Sequence, residues 1–157
     1  LASLGRVNHQ LLEILFKDPY LTEELPKSTG REKYNDDFIN QVIKIARELE
    51  MSNYDIIATL TAYTADTITE SYKRYLGEID KVIISGGGAL NKYLVDRIKK
   101  NLDKVSVEVV HDSDALEAFS FCIMGYHTLN HEPSNVPSVT GAKCQAVLGE
   151  VTNPHIK

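Results

Sequence analysis

The sequence lacks the features that mark several classes of protein. Its 17 Lys and Arg residues are outnumbered by 22 Asp and Glu, giving a formal net charge of −5, and the basic residues are scattered. The chain therefore has no positive stripe of the kind that binds nucleic acid. No apolar run approaches the roughly 18–20 residues of a membrane-spanning helix. We expect neither a nucleic-acid partner nor a membrane partner.

Cysteine is also scarce. Only Cys122 and Cys144 occur, each in apolar surroundings and without CxxC spacing. This pattern disfavours a disulfide framework and indicates two reduced core residues of a cytosolic protein. The sequence thus predicts a cytoplasmic location.

What the chain does contain is typical of a globular domain. Of its 157 residues, 43% are hydrophobic and 25% are charged, and a domain of this length buries about two-thirds of its unfolded surface. Apolar residues at helical spacing predict five helices. We expect them at about 7–16, 35–50, 52–76, 90–102 and 114–129. Ser52 and Asp55 form a capping-box signature at the start of the third helix.

Strands are fewer than helices. Lys81 to Ser85 is a short β-branched run that predicts a fully buried strand of a parallel sheet, and 105–110 predicts a second strand. Strand, helix and strand at these lengths predict right-handed βαβ units. After a turn at 140–142, a third short strand is predicted from Cys144 to Leu148. This sheet is incomplete and the chain begins at Leu1, so we expect a single-domain fragment, residues 1–157, with further strands upstream.

The glycine triplet Gly86, Gly87 and Gly88 follows the first strand directly, in the stretch VIISGGGALN. In α/β folds, ligands bind beyond the carboxyl ends of parallel strands, and helix N-termini attract anions. Glycine also lets a ligand approach the backbone closely. The pattern fits neither GxGxxG nor a Walker A loop, so a ligand contact and a plain tight turn both stay open. Asn91 is likewise either a helix cap or a ligand contact.

Three further stretches are candidates for chemistry. PKSTGRE, residues 26–32, places Lys27 and Arg31 beside hydroxyl groups, which suits either an anion cradle or a solvated loop. Asp114 and Glu117 form a second capping box, or a carboxylate near a cleft that orients a magnesium-bound water. His127 and His131 lie four residues apart, but without a third ligand they are better explained as surface histidines.

Taken in order, these stretches resemble the anhydro-N-acetylmuramic acid kinases. The resemblance rests on PKSTGRE at 26–32, GGGALN at 86–91, DALEAFSF at 114–121 and VPSVTGA at 136–142. The opening GRVNHQLLEIL with DPY is similar to the family segment before PKSTGRE, so that nearly the whole chain is covered.

The resemblance implies an α/β fold, namely the partial C-terminal lobe of an actin-like, ribonuclease-H-like sugar kinase. The chain would be helix-rich, with two or three mostly parallel strands. Its partners would be ATP or ADP with Mg2+, an anhydro sugar, the missing N-terminal lobe and a second copy in a homodimer. The family opens 1,6-anhydro-N-acetylmuramic acid with water and phosphorylates its 6-oxygen, in bacterial cell-wall recycling.

The resemblance also implies roles for particular residues. Gly86, Gly87, Gly88 and Asn91 would line the nucleotide site, and Glu117 would act near the cleft as a catalytic residue. The main catalytic aspartate would lie upstream of Leu1, so this chain alone would be inactive. Levoglucosan kinase, which takes anhydroglucose, and a non-catalytic nucleotide-binding protein of the same fold are the alternatives.

Overall fold

The computed structural model describes residues 1–110 and 113–152, except for the side chains of residues 113 and 114. The chain divides into two compact units, Leu1–His111 and Asp112–Lys157. Six α-helices and two strands are described. In chain order they are α1 His9–Leu15, α2 Asp36–Glu48, α3 Asn53–Tyr75, β1 Lys81–Ile84, α4 Lys92–Asn101, β2 Ser106–Val109, α5 Ser113–Leu129 and α6 Pro137–Thr140.

Three helices of the first unit begin directly after a residue whose side chain caps them. The side chains of Asn8, Asn35 and Ser52 each accept a hydrogen bond from the first turn of α1, α2 and α3. At α3 the predicted capping box is confirmed, because the carboxylate of Asp55 also accepts from the backbone N–H of Ser52. Each cap satisfies a backbone N–H that has no partner inside its helix.

Helix α3 is shared by two hydrophobic clusters in this unit. Tyr63 packs with α1 and α2 in a cluster that also contains Leu11, Leu12, Leu15 and Val42. Ala65 packs with the sheet and α4, against Val82, Ile98 and Leu102. Small residues on α3 let its neighbours approach closely, and Ala58, Ala62 and Ala65 are fully buried. Along the charge-free stretch 56–65 of α3, Ile57 and Thr64 are exposed and the other residues are buried or half-buried.

The sheet consists of two parallel strands, with Val82 opposite Val107 and Ile83 opposite Glu108. The prediction of a fully buried first strand is wrong, because Val82 is buried whereas Ile83 is 63% exposed. Side chains alternate between the faces of a strand, and α3 and α4 cover only the face that carries Val82. On the other face, Lys81 and Glu108 form an ion pair of 2.8 Å.

The second unit contains α5, the short helix α6 and an extended tail. The predicted strand from Cys144 to Leu148 is wrong, because the side chain of Asn135 takes the place of a partner strand. Its amide donates to the Cys144 carbonyl at 3.0 Å and accepts from the Ala146 N–H at 2.6 Å. One backbone hydrogen bond, from the Ser134 N–H to the Ala146 carbonyl, accompanies these contacts.

The prediction of two core cysteines is also wrong. Cys122 and Cys144 are both exposed and free. Cys122 lies on α5, an apolar helix that carries exposed aromatic residues, such as Phe119 and Phe121, around much of its circumference. An apolar sequence predicts burial only where another element covers the helix.

None of the helices in the described ranges combines the length and apolar character that a membrane crossing requires.

Candidate nucleotide site

The glycine triplet forms a turn that joins the end of β1 to α4. Gly86 has φ +81° and ψ −179°, a conformation that is essentially restricted to glycine. Gly87 to Leu90 then make one turn of 3-10 helix, closed by a hydrogen bond of 3.0 Å from the Ala89 N–H to the Gly86 carbonyl. The turn therefore requires glycine at position 86.

The same turn does not explain the glycine at position 87. A Cβ atom built on Gly87 would meet no atom of the described chain within 4 Å, and its φ is not positive. At Gly88 a Cβ atom would make only an ordinary contact, 3.8 Å from a methyl group of Leu94. The N–H groups at the start of a helical turn lack partners within it. Gly87 and Gly88 thus form a bare, exposed stretch of backbone beyond the carboxyl end of a parallel strand.

Asn91 caps α4. Its side-chain oxygen accepts a hydrogen bond of 3.2 Å from the Leu94 N–H, and its own N–H donates to the Gly88 carbonyl at 3.1 Å. The capping interpretation is confirmed, and the contact with a nucleotide stays a prediction. These bonds join the glycine turn to the first turn of α4.

A polar cluster, which sequence reasoning missed, joins α4 to α3. The Asp66 carboxylate accepts two hydrogen bonds from Arg97, at 2.7 Å from Nε and 2.6 Å from Nη2, and a third at 2.6 Å from Asn101. Asn101 also donates to the Thr69 hydroxyl at 3.2 Å. The hydrogen bonds to Asp66 raise the pKa of Arg97 above its usual value. One signal could have revealed this cluster, because Asp66 directly follows ten residues of α3 that carry no charge.

Lys27 fastens the PKSTGRE loop to the segment that follows α1. Lys27 Nζ donates to the carbonyl oxygens of Tyr20 and Leu21, at 2.7 and 3.2 Å. It also lies 4.7 Å from the centre of the Tyr20 ring and 5.7 Å from that of Tyr75. The ammonium group thus makes its contacts within the chain. This favours the structural interpretation of Lys27 over the anion cradle. Arg31 is exposed.

The structure does not bring the PKSTGRE loop and the glycine turn together. Helices α3 and α4 run in the same direction, because Asp66 bonds to Arg97 whereas Thr69, further along α3, bonds to Asn101, further along α4. The loop is held at the C-terminal end of α3, where Arg74 also donates to the Leu21 carbonyl at 2.8 Å. Asp66 lies eight residues before Arg74, and Asn91 lies six residues before Arg97. At 1.5 Å per residue, the two motifs are separated by about 20 Å along the helices.

A cavity of about 620 Å3 lies between these positions. It is lined by the segment after α1, including Leu21, and by the C-terminal half of α3 with Asn101. No residue of the glycine turn lines it. The candidate nucleotide site is therefore an open surface, separate from this cavity.

The remaining candidates lie in the second unit. Glu117 is exposed on α5, and its predicted capping partner Asp114 has a side chain outside the described residues. His127 Nδ1 lies 2.8 Å from a carboxylate oxygen of Glu132, and His131 is exposed. Within the described ranges, no three His, Cys, Asp or Glu side chains are grouped so that they could hold a metal ion. The interpretation of both histidines as surface residues rests on the exposure of His131 and on the contact of the half-buried His127 with Glu132.

Comparison with known proteins covers both units. The family model of anhydro-N-acetylmuramic acid kinase matches residues 1–154. Relatives with that name include one from Caldanaerobacter subterraneus subsp. tengcongensis, 40% identical over 97% of this chain and 40% of the relative. Another, from Clostridioides difficile, is 39% identical over 96% of this chain and 41% of the relative. A third, from Francisella tularensis subsp. novicida, is 39% identical over 96% of this chain and 40% of the relative. The chain thus spans about 40% of the length of these curated relatives.

Proposed function

Because the chain belongs to the anhydro-N-acetylmuramic acid kinase family, we propose that it supplies the glycine turn of an ATP site in such a kinase. The reaction opens the 1,6-anhydro ring of the muramic sugar with water and transfers the γ-phosphoryl group of ATP to the 6-oxygen. In this proposal the chain is the C-terminal lobe of an actin-like, two-lobe enzyme, and a longer protein carries the activity in the cytoplasm.

The proposal rests on the open surroundings of Gly87. A tight turn needs glycine at position 86 because of its φ of +81°, but it places no such demand on Gly87, whose Cβ position is open. A residue without a side chain is useful there if a ring or phosphate lies against the backbone. The location supports this explanation, since ligands of open α/β sheets bind beyond the carboxyl ends of the strands.

The residues of this chain would bind and orient the nucleotide. Gly87 and Gly88 present backbone N–H groups at the start of a helical turn, and such groups suit an anion or a ring edge. Asn91 holds the turn on α4 through its cap. We propose that Mg2+ accompanies ATP and is held through its phosphates, as is usual for kinase sites. Glu117, exposed on α5, would orient a sugar hydroxyl or a water molecule.

Phosphoryl transfer depends on positioning and on electrostatic stabilisation of the transferred group. Half of a two-lobe cleft cannot provide both, so we expect the isolated chain to be inactive. The longer kinase is the protein to assay. ATP consumption should be measured with anhydro-N-acetylmuramic acid and levoglucosan offered in parallel.

We expect consumption with the muramic sugar, which the names of the relatives support. Turnover of levoglucosan alone would instead assign the protein to anhydroglucose phosphorylation. ATP binding without turnover of either sugar would favour a non-catalytic member of the fold.

A further inference from the structure

We propose that Asp66, Arg97 and Asn101 form a clamp that positions the glycine turn for nucleotide binding. The inference rests on the proposed function and extends it to residues that do not touch the nucleotide. These are positioning residues, because they would act through α4 on the backbone at Gly86 to Gly88.

The first step is the connection between the turn and α4. The Asn91 N–H donates to the Gly88 carbonyl, and the Asn91 side chain caps the helix through the Leu94 N–H. Two hydrogen bonds thus join the glycine turn to the first turn of α4. A shift or rotation of α4 would therefore move the turn.

The second step is what fixes α4 on α3. The apolar part of this interface pairs small residues such as Ala65 with Ile98 of α4. Apolar burial is non-directional and does not by itself select one register. Arg97 and Asn101 lie one helical turn apart and converge on the single carboxylate of Asp66. Hydrogen bonds with this geometry allow one axial position and one rotation of α4.

The third step is that the clamp is not well explained by stability alone. The Asp66 and Arg97 side chains are only 15% and 25% exposed. Removing two charges from water offsets much of the attraction between them, so an ion pair of this kind is weak evidence for stability. A polar cluster whose members are all satisfied does specify one arrangement of the elements it joins. A role in fixing the position of α4 explains why these three residues form a cluster.

The test compares Asp66→Asn with Glu70→Gln. Both substitutions replace a carboxylate of α3 with an amide of similar size. Asp66 accepts from α4, whereas Glu70 is exposed and forms its ion pair with Lys73 of its own helix, at 2.9 Å. Steady-state kinetics of the longer kinase should be measured well below the melting temperature of each variant. Hydrogen exchange at residues 86–91 should be followed in the same samples.

For Asp66→Asn we expect the KM for ATP to rise about tenfold, because small displacements of positioning groups have large kinetic effects. The KM for the sugar should stay within about twofold, which a general loss of folded enzyme would not produce. Exchange at residues 86–91 should become faster. Glu70→Gln should match the wild type in all three measurements.

The inference is wrong if Asp66→Asn lowers the melting temperature but leaves both the KM for ATP and the exchange at residues 86–91 unchanged. A wild type that binds no nucleotide would overturn the proposed function and this inference together, so the two failures are distinguishable. Should Asp66→Asn not fold, Arg97→Lys provides the same test. Lysine keeps the charge but loses the two-pronged geometry, and we expect it to raise the KM for ATP by a smaller factor.

Discussion

Lys27 Nζ donates a hydrogen bond of 2.7 Å to the backbone carbonyl of Tyr20 and lies 4.7 Å from the centre of the ring of the same residue. A single side chain thus fastens the PKSTGRE loop to the segment that follows α1. The first prediction follows from this relationship.

Lys27→Gln should lower the free energy of unfolding by about 1–2 kcal/mol, because a hydrogen-bonded charge is lost from a half-buried position. It should leave the affinity for ATP within about twofold, because the loop lies far from the glycine turn. Arg31→Gln, on the exposed side of the same loop, is the control and should change stability by less than about 0.5 kcal/mol. Urea unfolding and nucleotide titration measure the two effects. A large loss of ATP affinity with unchanged stability would restore the anion-cradle interpretation.

The glycine turn gives a second prediction, in which two neighbouring glycines respond differently. Gly87→Val should leave the protein folded, because its Cβ position is open, and should abolish ATP binding by filling the surface where the nucleotide lies. Gly86→Ala should cost about 1–3 kcal/mol of stability, because its backbone conformation is strained for any side chain. Calorimetric titration with ATP and thermal melting of both variants are required. Wild-type ATP affinity in a folded Gly87→Val variant would contradict the nucleotide site.

Asp55 gives a prediction of pH dependence. Its pKa is held below the ordinary value of 3.8 by the hydrogen bond from the Arg6 backbone N–H and then by the Ser52 hydroxyl. A carboxylate whose pKa is lower in the folded state contributes stability above its unfolded pKa and loses it as the pH falls through the folded value. The wild type should therefore lose stability below about pH 4, where the unfolded chain begins to bind the proton. Asp55→Asn should show a smaller loss over the same range.

The measurement is urea unfolding at pH 5 and at pH 3 for both proteins. Asp36→Asn is a suitable control, since Asp36 is an exposed residue in the first turn of α2. It should keep the pH dependence of the wild type. Equal losses in the wild type and in Asp55→Asn would show that Asp55 does not contribute.

Glu117 gives a prediction that separates chemistry from capping. Glutamine also serves in a capping box, so Glu117→Gln should leave the melting temperature unchanged. If Glu117 acts on the sugar or on water, turnover of the longer kinase should fall by about 100-fold, the lower range for loss of an acid or base. Unchanged turnover would assign Glu117 to the cap alone.

The exposed surface of α5 gives a prediction about the isolated chain. Phe119, Phe121 and Tyr126 are each more than 60% exposed, and a large apolar surface of this kind promotes association. Light scattering of the isolated chain should detect dimers or larger species. The double variant Phe119→Ser with Phe121→Ser should be less associated at the same concentration, whereas Glu117→Gln should not differ from the wild type. A wild-type chain that remains monomeric at high concentration would contradict this expectation.

The sequence predicted the positions of the helices better than it predicted strand pairing and burial. Helical spacing located five helices, and the Ser52 and Asp55 signature located the start of α3, because caps and periodicity depend on residues a few positions apart. The strand prediction at 144–148 failed because pairing depends on a distant partner, and here the Asn135 side chain is that partner. The same limit applies to Cys122, whose apolar neighbours in sequence said nothing about what covers α5.

The candidate site divides in the same way. The sequence by itself placed the glycine triplet between β1 and α4 and made Asn91 a candidate cap of that helix, since both follow from local chemistry. Only the tertiary structure showed that the turn needs glycine at position 86 but not at position 87. It also showed that Lys27 donates hydrogen bonds within the chain. Likewise, only the tertiary structure revealed that Asp66 accepts hydrogen bonds from Arg97 and Asn101 of another helix. The physical reason is the range of the interactions. Backbone conformation and capping are set within a few residues, whereas open space and hydrogen bonds between helices depend on residues brought together by folding.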